Sequence, residues 1–134
     1  MTALSTYAER SILNLLFKNT AFSTPQAYIG LFTSDPTDSA SGTEASGSGY
    51  ARIRIDNKMS SATANSDNSQ ITNSSVITFA AADGGAFGTI THIGIFDALS
   101  SGNLLAHGAL AASKVISDGD TFQINASGLV ITID

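Results

Sequence analysis

The chain contains no cysteine, so neither a disulfide framework nor a zinc–thiolate site belongs to its fold. It has no tryptophan, and aromatic residues make up only 7%, which leaves little material for a glycan-stacking platform. Charge is also scarce, at 13% of residues against a usual ~25%. What charge there is leans acidic: six Lys+Arg against eleven Asp+Glu, a net charge of −5. Nucleic-acid binding needs clustered Lys/Arg to displace counterions, and a polybasic membrane contact needs the same residues. Neither partner is expected. No apolar run approaches the ~18–20 residues of a membrane-crossing helix. The first residues lack the basic and apolar regions of a secretory signal, so none is expected.

What is present is a chain of 134 residues, 43% hydrophobic. That length suits one domain, residues 1–134, able to bury about two-thirds of its unfolded surface. The spacing predicts a helix over about 6–18. Thr6 and Glu9 have the separation of a capping box. Tyr7, Ala8, Ile12, Leu15 and Leu16 follow a helical period, and Leu13 and Phe17 widen the apolar stripe. Lys18 suits the negative end of the helix dipole, and Asn19-Thr20 ends the run. Such a stripe must be covered, either by the domain's own sheet or by a neighbouring subunit.

After Pro25 the period becomes two. Ala27, Ile29 and Leu31 alternate with Tyr28, Gly30 and Phe32, all apolar or small, as in a strand covered on both faces. Further strands are expected at 50–55, 76–79, 89–96, 104–110, 121–124 and 129–133, the clearest being the β-branched run Thr89–Phe96. Asp118-Gly119 is the strongest hairpin dipeptide. Two polar stretches, 33–49 and 56–73, read as long loops, a length that usually marks mobile or functional segments. The expected fold is therefore mainly β: an antiparallel β-sandwich or barrel-like domain over about 26–134, with one N-terminal α-helix.

Chemistry-bearing patterns are absent or incomplete. There is no G-x-S-x-G. The stretch Gly42-Thr43-Glu44-Ala45-Ser46-Gly47-Ser48-Gly49 lacks the Lys-Ser/Thr and helix of a phosphate-binding loop. Asn65-Ser66-Asp67-Asn68-Ser69 places oxygens at alternate positions but lacks the glycine and closing glutamate of a calcium loop. His92 and His107 fall on neighbouring strands of one hairpin. Two histidines are too few for a metal within one chain, although copies around a symmetry axis could supply more. No metal site, cofactor or catalytic residue is assigned, and no enzyme activity is expected. The triplets at Asn73 and Asn125 match a glycosylation acceptor by chance. Tyr50, Arg52 and Arg54 share one face of a short strand, and this cationic group is the candidate partner contact.

Several segments together carry a resemblance. They are Tyr28-Ile29-Gly30-Leu31-Phe32-Thr33-Ser34-Asp35-Pro36-Thr37-Asp38, Gly49-Tyr50-Ala51-Arg52, and Thr89-Ile90-Thr91-His92-Ile93-Gly94-Ile95-Phe96-Asp97-Ala98. Val76-Ile77-Thr78-Phe79, Asn103-Leu104-Leu105-Ala106-His107-Gly108-Ala109-Leu110, Ser117-Asp118-Gly119-Asp120-Thr121-Phe122 and Leu129-Val130-Ile131-Thr132-Ile133-Asp134 complete the set. The chain resembles a family of short structural proteins of tailed bacteriophages, called tail-fibre proteins or head decoration proteins. The resemblance implies a non-enzymatic virion protein, assembled in the bacterial host cytoplasm. A long fibre shaft needs coiled-coil or other repeats, and none is present. A capsid decoration or cement protein on the head surface is therefore the first expectation. The alternative is a tail-fibre or tail-tip module that contacts the host surface; a third class is a carbohydrate-binding or hydrolytic β-domain acting on glycans. The expected partners are further copies of the chain in a homotrimer, and the major capsid protein or other virion proteins.

Overall fold

The computed structural model describes residues 3–23 and 26–133; the expected period change at Pro25 lies outside them. A two-residue strand, β1 (Ala3–Leu4), leads into the only α-helix among the described residues, α1 (Thr6–Lys18). The chain then forms β2 (Tyr28–Phe32), β3 (Ile53–Arg54), β4 (Thr63–Asn65), β5 (Asn68–Thr72) and β6 (Ile77–Thr78). It ends with β7 (Gly88–Phe96), β8 (Leu104–Ile116), β9 (Gln123–Ile124) and β10 (Val130–Ile133). All pairings are antiparallel. The main sheet has the order β1-β8-β7-β2-β3; a smaller one has β10-β5-β4, and β6 pairs with β9. This is a mainly antiparallel β-sandwich-like fold with one N-terminal helix.

The core follows from the strand period. Ile29 and Leu31 of β2 stand opposite Ile95 and Ile93 of β7. Opposite residues of an antiparallel pair share a face, so these four point into one buried cluster. Ile77, Phe79, Phe87, Phe122 and Leu129 join it from the small sheets and their connections. Those segments thus form the second layer. The alternate row of the main sheet is also covered. Phe32, Phe96 and Leu104 make a second, smaller cluster, with the Phe32 and Phe96 rings stacked at 6.0 Å. Burial of both faces is what the uninterrupted apolar run of β2 required.

The polar stretch 56–73 is a correction to the expected loop. It contains a single 3-10 turn, Asp56–Lys58, and then the β4–β5 hairpin, with β5 paired to β10. Thr63, Ala64 and Asn65 are exposed, so β4 never needed the apolar alternation that marks a half-buried strand; β5 is largely half-buried but has Ile71 as its one apolar residue. Asp118-Gly119 is a second correction. It forms a turn, Asp120 N–H donating to Ser117 O at 2.9 Å, with Gly119 at φ 86°. The flanking strands β8 and β9 belong to different sheets, so the turn passes the chain between layers and closes no hairpin. The Asp118 carboxylate receives the N–H groups of Gly84 and Gly85 at 2.8 and 3.2 Å.

The helix has the expected bounds, but its cap lies one residue before Thr6. Ser5 is the N-cap and accepts the Ala8 N–H at 3.2 Å. Its hydroxyl also donates to Leu104 O, which docks the cap on β8. Asn19, in the left-handed conformation at φ 51°, ends the helix.

Candidate functional site

Gly30 and Gly94 stand opposite each other in β2 and β7. They form a shallow trough on the outer face of the main sheet, and the loop after β2 folds over it. A Cβ at Gly30 would lie 2.7 Å from Glu44 Oε1 and 3.4 Å from Arg52 Cγ. Glycine is therefore what lets the loop approach. The loop holds itself in place: Thr33 N–H donates to Thr43 O at 2.9 Å, Ser41 N–H to Pro36 O at 2.7 Å and Ala45 N–H to Leu31 O at 2.8 Å. Pro36 is fully buried beneath it.

Arg52 is the main anchor. Its Nε and Nη2 donate to the two carboxylate oxygens of Glu44, each at 2.8 Å. Its Nη1 donates to Ala98 O at 3.0 Å and Ser101 O at 2.8 Å. The guanidinium also lies 3.6 Å above the Phe96 ring. One side chain thus ties the loop, β7 and the β7–β8 turn together, and it is only 7% exposed. Tyr50 completes the group, its hydroxyl donating to Glu44 Oε1 at 2.8 Å and accepting the Leu31 N–H at 2.9 Å. Burial pushes the Tyr50 phenol well above its ordinary pKa; the Leu31 N–H opposes this and the Glu44 carboxylate adds to it.

Of the three residues read as a partner contact, Tyr50 and Arg52 therefore spend their polar groups inside the protein. Arg54 alone is exposed, and it is paired with Asp56 at 2.8 Å. The hydrogen bond from Arg54 holds the Asp56 carboxyl below its usual range, and the Ala27 N–H contributes in the same direction.

The histidines also face the loop. His107 Nε2 lies 2.9 Å from Asp38 Oδ1 and its Nδ1 lies 3.5 Å from Asp35 Oδ1. His92 Nε2 lies 4.0 Å from Asp35 Oδ2. Sequence spacing placed the histidines side by side but gave no sign of these carboxylates, which sit in the patternless loop. No group of three or more His, Asp or Glu able to hold a metal occurs among the described residues. The His107–Asp38 hydrogen bond holds the loop against β8.

Asn73 is a further residue that sequence reasoning missed. It is fully buried. Its Nδ2 donates to Ser75 O at 2.9 Å and Asn125 O at 2.8 Å, and its Oδ1 accepts the Leu129 N–H at 2.8 Å. Its amide fastens the segment before β10.

Two surface features stand uncovered among the described residues. The first turn of α1 packs through Ala8, but Leu13, Leu16 and Phe17 are 57, 66 and 81% exposed. These three stand at i, i+3 and i+4, on one side of the helix. The second feature is an open groove of about 830 Å³ between β8 and the β9 region, lined by Leu110, Val115, Ile116, Phe122 and Ile124 among others.

This is a molecule built of turns, clamps and uncovered apolar surface. The family described as podophage GP4 fiber I protein gp80 matches residues 3–132. The chain belongs to that family. The match spans the helix, all three sheets and both polar stretches. As a member of a phage fibre-protein family, the chain is a non-enzymatic structural component of a phage virion. Among curated proteins no match is found.

Proposed function

We propose that this fibre-family chain works on the tail, as a tail-fibre or tail-tip module that contacts the host surface. This reverses the order of the two expectations drawn from the sequence, in which capsid decoration came first. The observation that carries it is the match of residues 3–132 to a protein described as a fibre component. The fold supports a place at the end of a fibre over one in its shaft. A chain of short antiparallel strands without repeats makes a compact unit at an attachment point or end, and the length of a shaft comes from other proteins. The particle is assembled in the host cytoplasm, and the module joins it there.

The chain functions as a homotrimer, so that several weak contacts act together on one surface. The exposed apolar stripe of α1 supports self-association, because contiguous apolar surface on a soluble domain commonly marks an interface. Arg54 is the residue of the Tyr50–Arg52–Arg54 group that serves in partner contact; Tyr50 and Arg52 hold the surface in shape. Virions labelled with antibody fragments against this chain test the location: label at the tail supports the reading and label spread over the head overturns it. Sedimentation of the purified chain tests self-association.

A further inference from the structure

We propose that the cleft between α1 and the segment that follows it binds a single neutral sugar ring of the host surface. This rests on the host-contact reading above and names its ligand. Tyr7, Ser11 and Asn14 stand at i, i+4 and i+7, on one face of α1. Asn19, in the left-handed conformation, reverses the chain, and Thr20 N–H donates back to Asn14 O at 3.0 Å. Residues 20–23 then run back along that face. The Phe22 ring meets the Tyr7 ring edge to face, with centroids 6.2 Å apart and planes at 67°. The result is an open cleft of about 180 Å³, lined by Tyr7, Ser11, Asn14, Thr20, Phe22 and Ser23 among others.

The lining sets the ligand class. No charged residue belongs to it, so nothing in the cleft pairs with a phosphate, a carboxylate or an amine. Two aromatic rings set at an angle offer apolar surface of fixed shape, which suits the C–H face of a pyranose. Around them stand groups that donate and accept: the Tyr7 phenol, the Asn14 amide and the Thr20 hydroxyl, whose side chains make no hydrogen bond among the described residues. The Ser11 hydroxyl gives its hydrogen to Tyr7 O at 2.8 Å and keeps its lone pairs. A sugar hydroxyl, donor and acceptor at once, matches such a mixed set, whereas an apolar ligand would leave it unpaired. Size agrees. Sites for drug-sized ligands run to ~300–1,000 Å³, and this cleft is smaller, with room for one ring. A ligand that small binds an open cleft with a Kd on the order of millimolar, so hold on a host surface comes from several copies acting together.

The test follows backbone amide signals of the isotope-labelled full chain by nuclear magnetic resonance. The titrants are neutral hexoses, deoxyhexoses and N-acetylhexosamines, each to about 50 mM, with benzamide as a flat aromatic control. The expected result is saturable shifts at Tyr7, Ser11, Asn14 and residues 20–23 with at least one sugar. Tyr7→Ala should abolish them. Asn14→Ala, at an exposed helical position, should weaken binding about 5-fold, the worth of one hydrogen bond. Signals away from the helix and residues 19–23 should match wild type in both variants, which separates lost binding from lost folding. No shift with any sugar overturns the proposal. So do sugar shifts at another surface, shifts with benzamide alone, or binding that neither variant weakens. Each of these leaves the tail location standing, because the labelled virions test that separately. A sugar-binding chain found on the head would instead sink the host-contact reading.

Discussion

Replacing Arg52 with methionine is the most informative perturbation of the loop-covered face. The substitution keeps the aliphatic stem over Gly30 and removes the charge. It deletes the two bonds to Glu44, the bonds to Ala98 O and Ser101 O, and the contact with the Phe96 ring. Removing one partner of a buried ion pair costs about 3–5 kcal/mol, chiefly because the other charge is stranded. Glu44 is 27% exposed and keeps the Tyr50 hydroxyl as a donor, so water and Tyr50 offset part of the loss. The expected cost is therefore about 3 kcal/mol, the lower end of that range. For a domain of this size that is a fall of roughly 10–15 °C in melting temperature. Thermal unfolding by differential scanning calorimetry measures it. Glu44→Gln strands the guanidinium and should be similarly damaging, while the double variant should cost clearly less than the sum of the two. Arg54→Ala, two residues along but exposed, should leave the melting temperature near wild type. An Arg52→Met protein as stable as wild type would refute the reasoning, and so would strict additivity with Glu44→Gln.

Three further outcomes follow from the same geometry. Asn73→Ala leaves the Leu129 N–H and two carbonyls without their partner, and should lower the denaturation midpoint in urea by an amount equivalent to about 3 kcal/mol; an unchanged midpoint contradicts the role given to this amide. Gly94→Ala places a Cβ 2.9 Å from ring atoms of Phe32 and Phe96, and should cost about 1–3 kcal/mol by overpacking, read from the same urea titration. Asp56 titrates below its ordinary value in the folded protein, so its contribution is present above the unfolded-state pKa of about 4 and disappears as pH falls through the lower folded value. The small melting-temperature deficit of Asp56→Asn at pH 7 should therefore close under acid conditions; a gap that stays constant with pH contradicts the assignment.

Much of the architecture was legible in the sequence because the strands of the main sheet are apolar and β-branched. The run Thr89–Phe96 could scarcely be anything else, and the double-faced burial of β2 followed from its uninterrupted apolar composition. The helix bounds were legible as well, though its cap was placed on Thr6 when Ser5 occupies it. Both residues can cap, and the contact of Ser5 with β8 decides between them. The β4–β5 hairpin escaped notice because β4 is wholly exposed and β5, half-buried, carries Ile71 as its one apolar residue, too little for a period of two to show. Asp118-Gly119 signalled a turn correctly, but turn chemistry does not say which sheets the flanking strands join.

The residues that organise the outer face were harder to read. Arg52 and Arg54 look equivalent in sequence, two positions apart on one strand. Their difference comes from Glu44, which reaches Arg52 from a loop without pattern. Asp35 and Asp38 meet the histidines by the same long-range folding, across 69 residues in the case of Asp38 and His107. Asn73 was hidden inside a three-residue motif that pointed to the surface, whereas its amide is wholly internal.

The central claim is that this chain is a fibre component seated on the tail. The most direct test is a cryo-electron microscopy map of the intact virion into which the subunit is fitted. The account predicts density for the sandwich and its helix at the tail, in symmetric clusters of copies. Density for it arrayed over the capsid lattice, with none on the tail, would contradict the account.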